Sequence, residues 1–330
     1  MSKQSNGQQG DAHDFGQRTA LIVNPAINHF FDLEGYRLAE ALRTLGIAVT
    51  VATLEDAPHM GFDWCFVNNP FEAAQSTGCA GRGRQLLAEL AERCEAVFGI
   101  SMEDMNGPWF QPVYDMAVTT KLDALLDLGL RPQPSASNGQ WKIPIRFVLN
   151  GMTKSEKQRA KLAVRARNER PIPWAMIGIQ TPRRVRIAEL LVRNLAPHGF
   201  VYLPVQNAED AERRDLNEAM LMRVLSNSAY YIWCSQYGSR YMESQRYRQA
   251  VLAGAAPVKV VDDANPIDDE TPFSFTLLHE NSLTELVVLP PSATLHGRAA
   301  QEFCRMPGLE ASLAELLDVP LPPEELENGE

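Results

Sequence analysis

The stretch "RYRQAVLAGAAPVKVV" (residues 246–261) decides the fold, because a helix, a turn and a strand follow one another within it. Its first half is polar and helix-forming, and its last residues are mostly β-branched valines, which are typical of strands. Between them, Gly254 readily takes the left-handed conformation that ends a helix, and Pro257 cannot continue one. The stretch therefore predicts a helix that ends at Ala253 and packs on the strand that follows it.

The same alternation of strand and helix runs through the first half of the chain. Short apolar runs that end in turn residues predict buried strands, and apolar residues at helical spacing predict the helices between them. The predicted strands are 19–25, 48–54, 63–70, 95–102 and 143–150, and the predicted helices are 33–47 and 83–94. The segment "AVTTKLDALLDLGL" (117–130) is interpreted as the end of a strand followed by a helix.

The alternation starts again at Trp174. Strands are predicted at 174–180, 199–205, 229–235 and 256–262, and helices at 184–196, 215–228 and 239–254. Repeated βαβ units mean a mainly parallel sheet with helices on both faces. The fold class is therefore α/β, with two Rossmann-like lobes that face each other across a cleft. The lobes are expected at 18–168 and 169–315, between a disordered N-terminal tail (1–17) and an acidic tail (316–330).

Composition narrows the class of protein. A chain of 330 residues exceeds the size of one ordinary core, and a formal net charge of −10 argues against general binding to nucleic acid or to anionic membranes. Five cysteines with no C-x-x-C pair indicate reduced thiols and a cytoplasmic location. No apolar run approaches the roughly 18 residues of a membrane span, and the N-terminal residues lack the apolar core of a signal peptide.

The stretch at 246–261 resembles the R-x-x-E-A-x-x-A-G-x-x-P-V segment of GT-B glycosyltransferases, particularly bacterial proteins of the spore-maturation CgeB type. Arg246, Ala250, Gly254 and Pro257 match that segment. A second, weaker match is "YDMAVTTKLDALLDLGL" (114–130), which is similar to the D-x-v-x-T…L…G segment of the family's N-terminal half. The two matches lie in the corresponding halves of the chain and in the same order.

This resemblance implies a glycosyltransferase that moves a sugar from a nucleotide-diphosphate donor to an acceptor. The donor would bind the second lobe and the acceptor the first, with no cofactor beyond the nucleotide sugar. Metal-independent chemistry is expected, because the chain lacks the D-x-D pattern by which the other large glycosyltransferase fold holds a cation. One position departs from the family. Gln249 stands where a glutamate usually binds the donor ribose, and a glutamine forms a weaker, uncharged hydrogen bond.

Candidate donor-binding residues lie at two strand-to-helix turns and on the helix at 239–254. A diphosphate is bound by backbone N–H groups at helix N-termini and by cations. Residues 151–193 contain 11 basic and three acidic residues, so their net charge is +8 and that of the remaining chain is −18. This basic band is expected near the cleft, although the helix within 153–170 taken alone is read as a solvated basic face. The candidates are Arg183, Arg184, Gly238, Ser239, Arg246 and Gln249.

An inverting transfer needs a general base from the first lobe, at the carboxyl ends of its strands, where open α/β sheets bind ligands. His29 follows the first strand and has the pKa range of a base. Glu103 and Asp104 follow the strand at 95–102, and Asn68 and Asn69 end another strand, where they would orient hydroxyl groups. Each of these residues is alternatively a polar loop residue with no role in catalysis.

Two other classes of function stay open. The first is a catalytically inactive relative that keeps the fold and binds a nucleotide or acts as a scaffold, which Gln249 favours. The second is an epimerase or another nucleotide-sugar enzyme, which would need a clearer glycine-rich loop than this chain has. Nucleic acid is not an expected partner, because no aromatic residues are interleaved with the basic ones.

Overall fold

A computed structural model describes residues 17–27, 29–133, 141–165, 170–204, 218–236, 243–262 and 276–322. The first lobe is built on a six-stranded parallel sheet in the order β2-β1-β3-β4-β5-β6. Its strands are β1 (Thr19–Val23), β2 (Ala48–Ala52), β3 (Trp64–Asn68), β4 (Ala96–Ser101), β5 (Ala124–Gly129) and β6 (Ile145–Leu149). Its helices are α1 (His29–Thr44), α2 (Pro70–Gln75), α3 (Ala80–Arg93) and α4 (Phe110–Thr119).

The second lobe is built on a five-stranded parallel sheet in the order β11-β10-β9-β7-β8. Its strands are β7 (Ile172–Ile177), β8 (Phe200–Tyr202), β9 (Ser228–Cys234), β10 (Ala256–Val261) and β11 (Thr276–His279). Helix α5 (Lys154–Arg165) precedes the sheet, and α6 (Pro182–Asn194), α7 (Glu218–Ser226), α8 (Ser244–Ala253) and α9 (Ser292–Arg305) surround it. A 3₁₀ helix (Glu280–Thr284) follows β11. The prediction of two Rossmann-like α/β lobes is confirmed.

Both sheets place a topological switch point beside their first strand. In the first sheet the strand order reverses between β1 and β3, and in the second it reverses between β7 and β9. Ligands of open α/β sheets bind at such points, in the crevice outside the carboxyl ends of the strands. The strand order therefore marks one crevice in each lobe before any side chain is considered.

The interpretation of residues 117–130 is wrong. Helix α4 extends to Thr119, Lys121 takes a left-handed conformation (φ 58°), and β5 then runs over Ala124–Gly129. All six residues of β5 are buried, because the strand lies between β4 and β6 with helices on both faces of the sheet. A strand buried on both faces is a continuous apolar run and shows no alternation, so its pattern resembles that of a buried helix.

The turn after α8 has the predicted structure. Gly254 ends the helix in the left-handed conformation (φ 77°), and the Ala255 N–H donates back to the Ala250 carbonyl at 2.9 Å. A Cβ at Gly254 would also collide with the Arg170 guanidinium, which donates to the Ala253 carbonyl at 3.1 Å. Glycine is therefore required here both for its backbone conformation and for the close approach of a cation to the end of the helix.

Helix α10 (Leu309–Leu317) returns to the first lobe. Leu309, Leu313 and Leu317 are buried in the core on the α1 face of the first sheet. The domain bounds at 168 and 315 stay a prediction, and the predicted tails at 1–17 and 316–330 lie mostly outside the described residues. Within the part of the chain that the structure describes, no helix is long and apolar enough to cross a membrane.

A buried network of two arginines and two glutamates joins the lobes. Arg37 on α1 forms a bidentate pair with Glu156 on α5, with both N–O distances at 2.9 Å, and also pairs with Glu34. Arg248 on α8 donates to Glu34 at 2.7 Å and lies 3.2 Å from Glu156. The four charges cancel, and each carboxylate contacts both guanidinium groups. We call these four residues the hinge network.

The start of α5 holds Glu156 in the hinge network. The Thr153 N–H donates to the Glu156 carboxylate at 3.0 Å, and the Thr153 hydroxyl accepts from the Glu156 N–H at 3.3 Å. This is a capping box, which satisfies two N–H groups at the helix start. Although burial alone would raise it, the charges of Arg37 and Arg248 lower the pKa of Glu156 to about 2.

The hinge network predicts a large effect of removing one member. Arg248→Met should lower the free energy of unfolding by about 3 kcal/mol, because it leaves the buried carboxylates of Glu34 and Glu156 with one guanidinium between them. Arg82→Met, which removes an exposed pair with Glu55, is the matched control and should change it by less than about 0.5 kcal/mol. Urea unfolding of both variants checks this. Equal changes in the two variants would contradict it.

Candidate functional site

The crevice of the second lobe lies where β7 and β9 end. Gly178 follows β7 and Ser235 follows β9, on the two sides of the switch point. A Cβ at Gly178 would contact the Arg184 guanidinium at 3.3 Å and the Arg246 Nη2 at 3.4 Å. The glycine thus leaves room for two arginines at the same strand end. The first turn of α6 supplies Arg184, and α8 supplies Arg246.

Two arginines, the buried Arg184 and the half-buried Arg246, form no ion pair here with a carboxylate of the described residues. Arg184 donates to the carbonyls of Ile179 at 3.0 Å and Cys234 at 3.4 Å, and Arg246 donates to the Ile177 carbonyl at 2.9 Å and to the Tyr231 hydroxyl. Within the described residues, neither guanidinium forms an ion pair. Burial and then the charge of Arg246 lower the pKa of Arg184. The two cations therefore face each other without a neutralising group in contact with either.

Arg183 reaches the same strand ends but is neutralised. It donates to the Ser235 carbonyl at 2.8 Å and to the Glu280 carboxylate at 2.7 Å, and Glu280 also pairs with the exposed Arg186. Burial raises the pKa of the Cys234 thiol, against the opposing charges of Arg183, Arg184 and Arg246. All three predicted arginines thus surround the end of β9.

A second buried ion pair lies behind the arginines. Glu243, which immediately precedes α8, contacts Lys259 Nζ at 2.9 Å and accepts from Trp233 Nε1 at 3.1 Å. Although burial alone would raise it, Lys259 and Arg246 lower the pKa of Glu243 to about 2. The strand ends of the second lobe thus hold four cations and two carboxylates in this group, with a net charge of +2. The cations are Arg183, Arg184, Arg246 and Lys259, and the carboxylates are Glu243 and Glu280. Unpaired buried charge of this sign favours an anionic ligand.

Gln249 lies on α8, one turn after Gln245. Gln245 contacts the first lobe by donating to the Phe30 carbonyl at 3.5 Å. Gln249 is only 7% exposed, and its Oε1 accepts no hydrogen bond within the described part of the chain. The Ser235 hydroxyl is also buried without a partner there. Buried polar atoms are almost always satisfied, so each of these marks a place where a ligand or water would donate or accept.

The other predicted donor residues and the predicted base His29 are described only in part. Gly238 and Ser239 lie outside the described residues. His29 is the first residue of α1, the helix that follows β1 in the chain. The predicted polar residues Asn68 and Asn69 have structural partners: Asn68 Nδ2 donates to the Phe31 carbonyl, and Asn69 Oδ1 caps α2 by accepting from the Glu72 N–H at 3.1 Å. Asn68 Oδ1 remains buried without a partner in the described residues.

The crevice edge of the first lobe is acidic. Glu103 and Asp104 follow β4 as predicted, and both are half-buried. Burial, and then the charges of Glu72 and Asp104, raise the pKa of Glu103 to about 7. A carboxyl group with this pKa accepts a proton readily near neutral pH, which is the property of a general base.

Two residues at this edge were missed from the sequence. Asp127 lies in β5 and accepts from Gln133 Nε2 at 2.9 Å, and Gln133 also bonds the Glu103 carbonyl (2.9 Å) and the Met105 N–H (2.8 Å). Burial, and then the charge of Asp104, raise the pKa of Asp127 to about 6. The signal was present, because Asp127 is the single charged residue in the run "ALLDLG" (124–129).

The carboxyl edges of the two sheets face each other. Asn150, directly after β6, donates to the Ser244 hydroxyl at 3.0 Å, and Ser244 begins α8 beside the arginines. The edge of the first lobe that carries Glu103, Asp104 and Asp127 and the edge of the second lobe that carries Arg183, Arg184 and Arg246 (the cationic edge) therefore border one cleft. Within the described ranges, no group of three or more metal-ligating side chains is found.

Comparisons with known proteins add little. Neither a protein-family model nor a curated protein sequence matches the chain. Among solved structures, the chain is similar to spinosyn forosaminyltransferase SpnP, with 14% identity and a TM-score of 0.40 over 92% of this chain and 99% of that one. A likeness at this level supports no inference about function.

The raised pKa of Glu103 predicts a pH dependence of stability. A carboxyl group whose pKa rises on folding costs stability above its unfolded pKa of about 4.3, and the cost grows until the pH passes about 7. Glu103→Gln removes this cost, so the variant should be more stable than the wild type by about 1–2 kcal/mol at pH 8 and similar to it near pH 4.5. Urea unfolding at both pH values measures the difference.

The control for this prediction is Glu89→Gln, which removes an exposed carboxylate on α3. It should show no pH-dependent gain. A Glu103→Gln variant whose difference from the wild type stays constant across these pH values would show that Glu103 titrates normally.

Proposed function

We propose that the protein is a glycosyltransferase that moves a sugar from a nucleotide-diphosphate donor to an acceptor hydroxyl. The observation that supports this most is the pair of arginines, the buried Arg184 and the half-buried Arg246, that form no ion pair with a described carboxylate at the switch point of the second sheet. A diphosphate is the kind of anion that two adjacent guanidinium groups bind well, because each presents several N–H donors in a plane.

The arginines would serve in the transfer as well as in binding. When the sugar leaves the donor, negative charge builds up on the diphosphate oxygens, and preformed cations in a buried site stabilise that charge. In this proposal Arg184 and Arg246 supply the positive charge, so the reaction is metal-independent. Arg183 would act through Glu280, which holds it at the end of β9.

Gln249 would bind the donor ribose. Its unpartnered Oε1 is an acceptor for a ribose hydroxyl, and it lies on the same helix as Arg246. The acceptor hydroxyl would lose its proton to Glu103, whose pKa of about 7 suits a base at neutral pH. His29 and Asp104 remain alternatives for this role. A nucleotide sugar and reduced thiols both fit the cytoplasmic location predicted from the sequence.

A catalytically inactive nucleotide-binding protein or scaffold is the second candidate. It is favoured by the hydrogen bonds of Arg184 and Arg246 to backbone carbonyls, since these give both arginines a structural role without any ligand. The substitution of glutamine for the family's glutamate at 249 favours it as well. The two candidates differ in turnover and agree in binding a nucleotide.

A thermal-shift screen against nucleoside diphosphates and nucleotide sugars tests the proposal. A ligand at 100 times its Kd stabilises the folded chain by about 2.7 kcal/mol, which raises the Tm by several degrees. Arg184→Met should weaken the best ligand at least about tenfold, because it removes a charge-assisted contact. Arg186→Met, which removes an exposed guanidinium from the same helix, is the control and should bind normally. No shift with any ligand would contradict the proposal.

Gln249 gives a sharper test of the donor geometry. Gln249→Glu should keep or improve donor affinity, because a charged acceptor strengthens the bond to a ribose hydroxyl by roughly 1 kcal/mol. Gln249→Leu should lose about 1–3 kcal/mol, because it leaves ribose hydroxyls without a partner. Calorimetric titration of the wild type and both variants with the donor found in the screen measures these changes. Three equal affinities would remove Gln249 from the site.

A further inference from the structure

Ser235, at the carboxyl end of β9, is a buried polar residue to which neither the sequence nor the proposed mechanism assigns a role. It directly follows the strand and is only 4% exposed. Its Oγ neither donates nor accepts a hydrogen bond among the residues that the structure describes. A buried hydroxyl without a partner lowers stability, so a ligand that pairs with it removes a cost that the folded chain otherwise carries.

Two arginines hold the backbone on both sides of this hydroxyl. The Arg184 guanidinium donates to the Cys234 carbonyl at 3.4 Å and to the Ile179 carbonyl at 3.0 Å, so it joins the ends of β9 and β7. Arg183 Nη1 donates to the carbonyl of Ser235 itself at 2.8 Å. Bond lengths alone therefore keep the Ser235 hydroxyl within roughly 8 Å of both guanidinium groups.

The pleat of β9 places the Ser235 side chain on the face of the sheet that α8 covers. Tyr231 and Trp233 belong to the core on that face, whereas Cys234 belongs to the core on the opposite face. Because successive side chains of a strand alternate, Ser235 continues the row of Tyr231 and Trp233. Arg246 of α8 donates to the Tyr231 hydroxyl, so its guanidinium lies on the same face as the Ser235 hydroxyl.

The surroundings of the hydroxyl favour an anion as its partner. Arg183 pairs with Glu280, but Arg184 and Arg246 form no ion pair with a carboxylate of the described residues. Guanidinium groups offer only N–H donors, and within the described part of the chain none of the three donates to Ser235 Oγ. An oxyanion that these cations attract would bring acceptor lone pairs to the hydroxyl, and an O–H···O⁻ bond is about twice as strong as a neutral one.

Gly178 leaves room for such an anion beside Ser235. The parallel register of β7 and β9, continued two residues beyond its last pair, sets Gly178 opposite Cys234, one residue before Ser235. A Cβ at Gly178 would lie 3.3 Å from the Arg184 guanidinium, in the space that the glycine leaves open. Gly178 and Gln236, the residue after Ser235, are both half-buried, so solvent reaches the residues next to the covered hydroxyl.

We propose that the Ser235 hydroxyl donates to a non-bridging oxygen of the donor diphosphate, which makes it a third anion-binding side chain beside Arg184 and Arg246. This inference rests on the proposed function for the identity of the anion as the diphosphate of a nucleotide sugar. The arginines supply charge, and the hydroxyl supplies one directed bond that selects an oxygen. That bond strengthens as negative charge builds up on the departing diphosphate.

Two serines at opposite ends of β9 give a matched pair of variants for stability. Ser228 begins the strand, is fully buried and donates to the Val224 carbonyl at 2.8 Å. Ser228→Ala should lower the Tm of the ligand-free chain by roughly 2 °C, because it leaves that carbonyl without its donor. Ser235→Ala should leave this Tm unchanged or raise it, because it removes a hydroxyl that has no partner.

Calorimetric titration of the full chain measures the effect of the same variants on binding. The probes are inorganic pyrophosphate and the nucleoside diphosphates UDP, GDP, ADP, CDP and dTDP. Ser235→Ala should weaken pyrophosphate and the tightest nucleoside diphosphate by about tenfold, because it removes a charge-assisted hydrogen bond. Ser228→Ala should bind both as the wild type does. A hydroxyl with a purely structural role would instead lower the Tm when removed and leave the affinity unchanged.

Two results would overturn the inference alone. One is equal affinity of the wild type and Ser235→Ala for a nucleoside diphosphate that both bind. The other is a loss of Tm in Ser235→Ala as large as that in Ser228→Ala, which would show that the hydroxyl is bonded within the fold or to a structural water.

Failure of the proposed function has a different signature. A chain that binds pyrophosphate through Ser235 but binds no nucleoside diphosphate supports the anion contact and contradicts sugar transfer from a nucleotide donor. A chain that binds none of these probes contradicts both the contact and the proposed function.

Discussion

The relative placement of the lobes depends on the hinge network of Glu34, Arg37, Glu156 and Arg248. Four charges are buried where the chain passes from one lobe to the other, and each guanidinium contacts two carboxylates. Such a network is costly to disrupt, because any movement that separates α1 from α8 leaves charges buried and unpaired. The network therefore fixes which edges of the two sheets face each other, and with them the composition of the cleft.

The two walls of the resulting cleft carry charges of opposite sign. Its second-lobe wall holds Arg184 and Arg246 without carboxylate partners, and its first-lobe wall holds Glu103 and Asp127 without cations among the described residues. Unlike the charges of the hinge network, these four side chains form no ion pair with any described residue. The chain thus balances its buried charge where the lobes are joined and leaves it unbalanced where ligands would bind. Under the proposed function, this contrast separates the charges that hold the lobes together from those that would bind ligands.

The sequence predicted the architecture well, because strand and helix periodicity and the Gly254 turn are local signals. It failed at β5, where burial on both faces removes the alternation that identifies a strand. The sequence predicted Arg184 and Arg246 as candidate donor-binding residues. Their common close approach to Gly178 could not be predicted, because it depends on two helices whose arginines lie over sixty residues apart in the chain. Asp127 was missed although it is the single charged residue in its apolar run, because its proximity to Gln133 and Asp104 arises only on folding. The hinge network was not predicted, because its partners come from three helices of both lobes.

Under the proposed function, the strand ends around Arg183, Arg184 and Arg246 bind the diphosphate of a nucleotide. Hydrogen–deuterium exchange of the wild-type chain, with and without a nucleoside diphosphate, tests it most directly. Exchange should slow in the peptides that contain Gly178 to Arg184 and Ser235 to Gln249, because a bound ligand stabilises the strand ends it contacts. Exchange in β2, at the far edge of the first sheet, should not change. Protection confined to the first lobe, or none in either peptide, would contradict the claim.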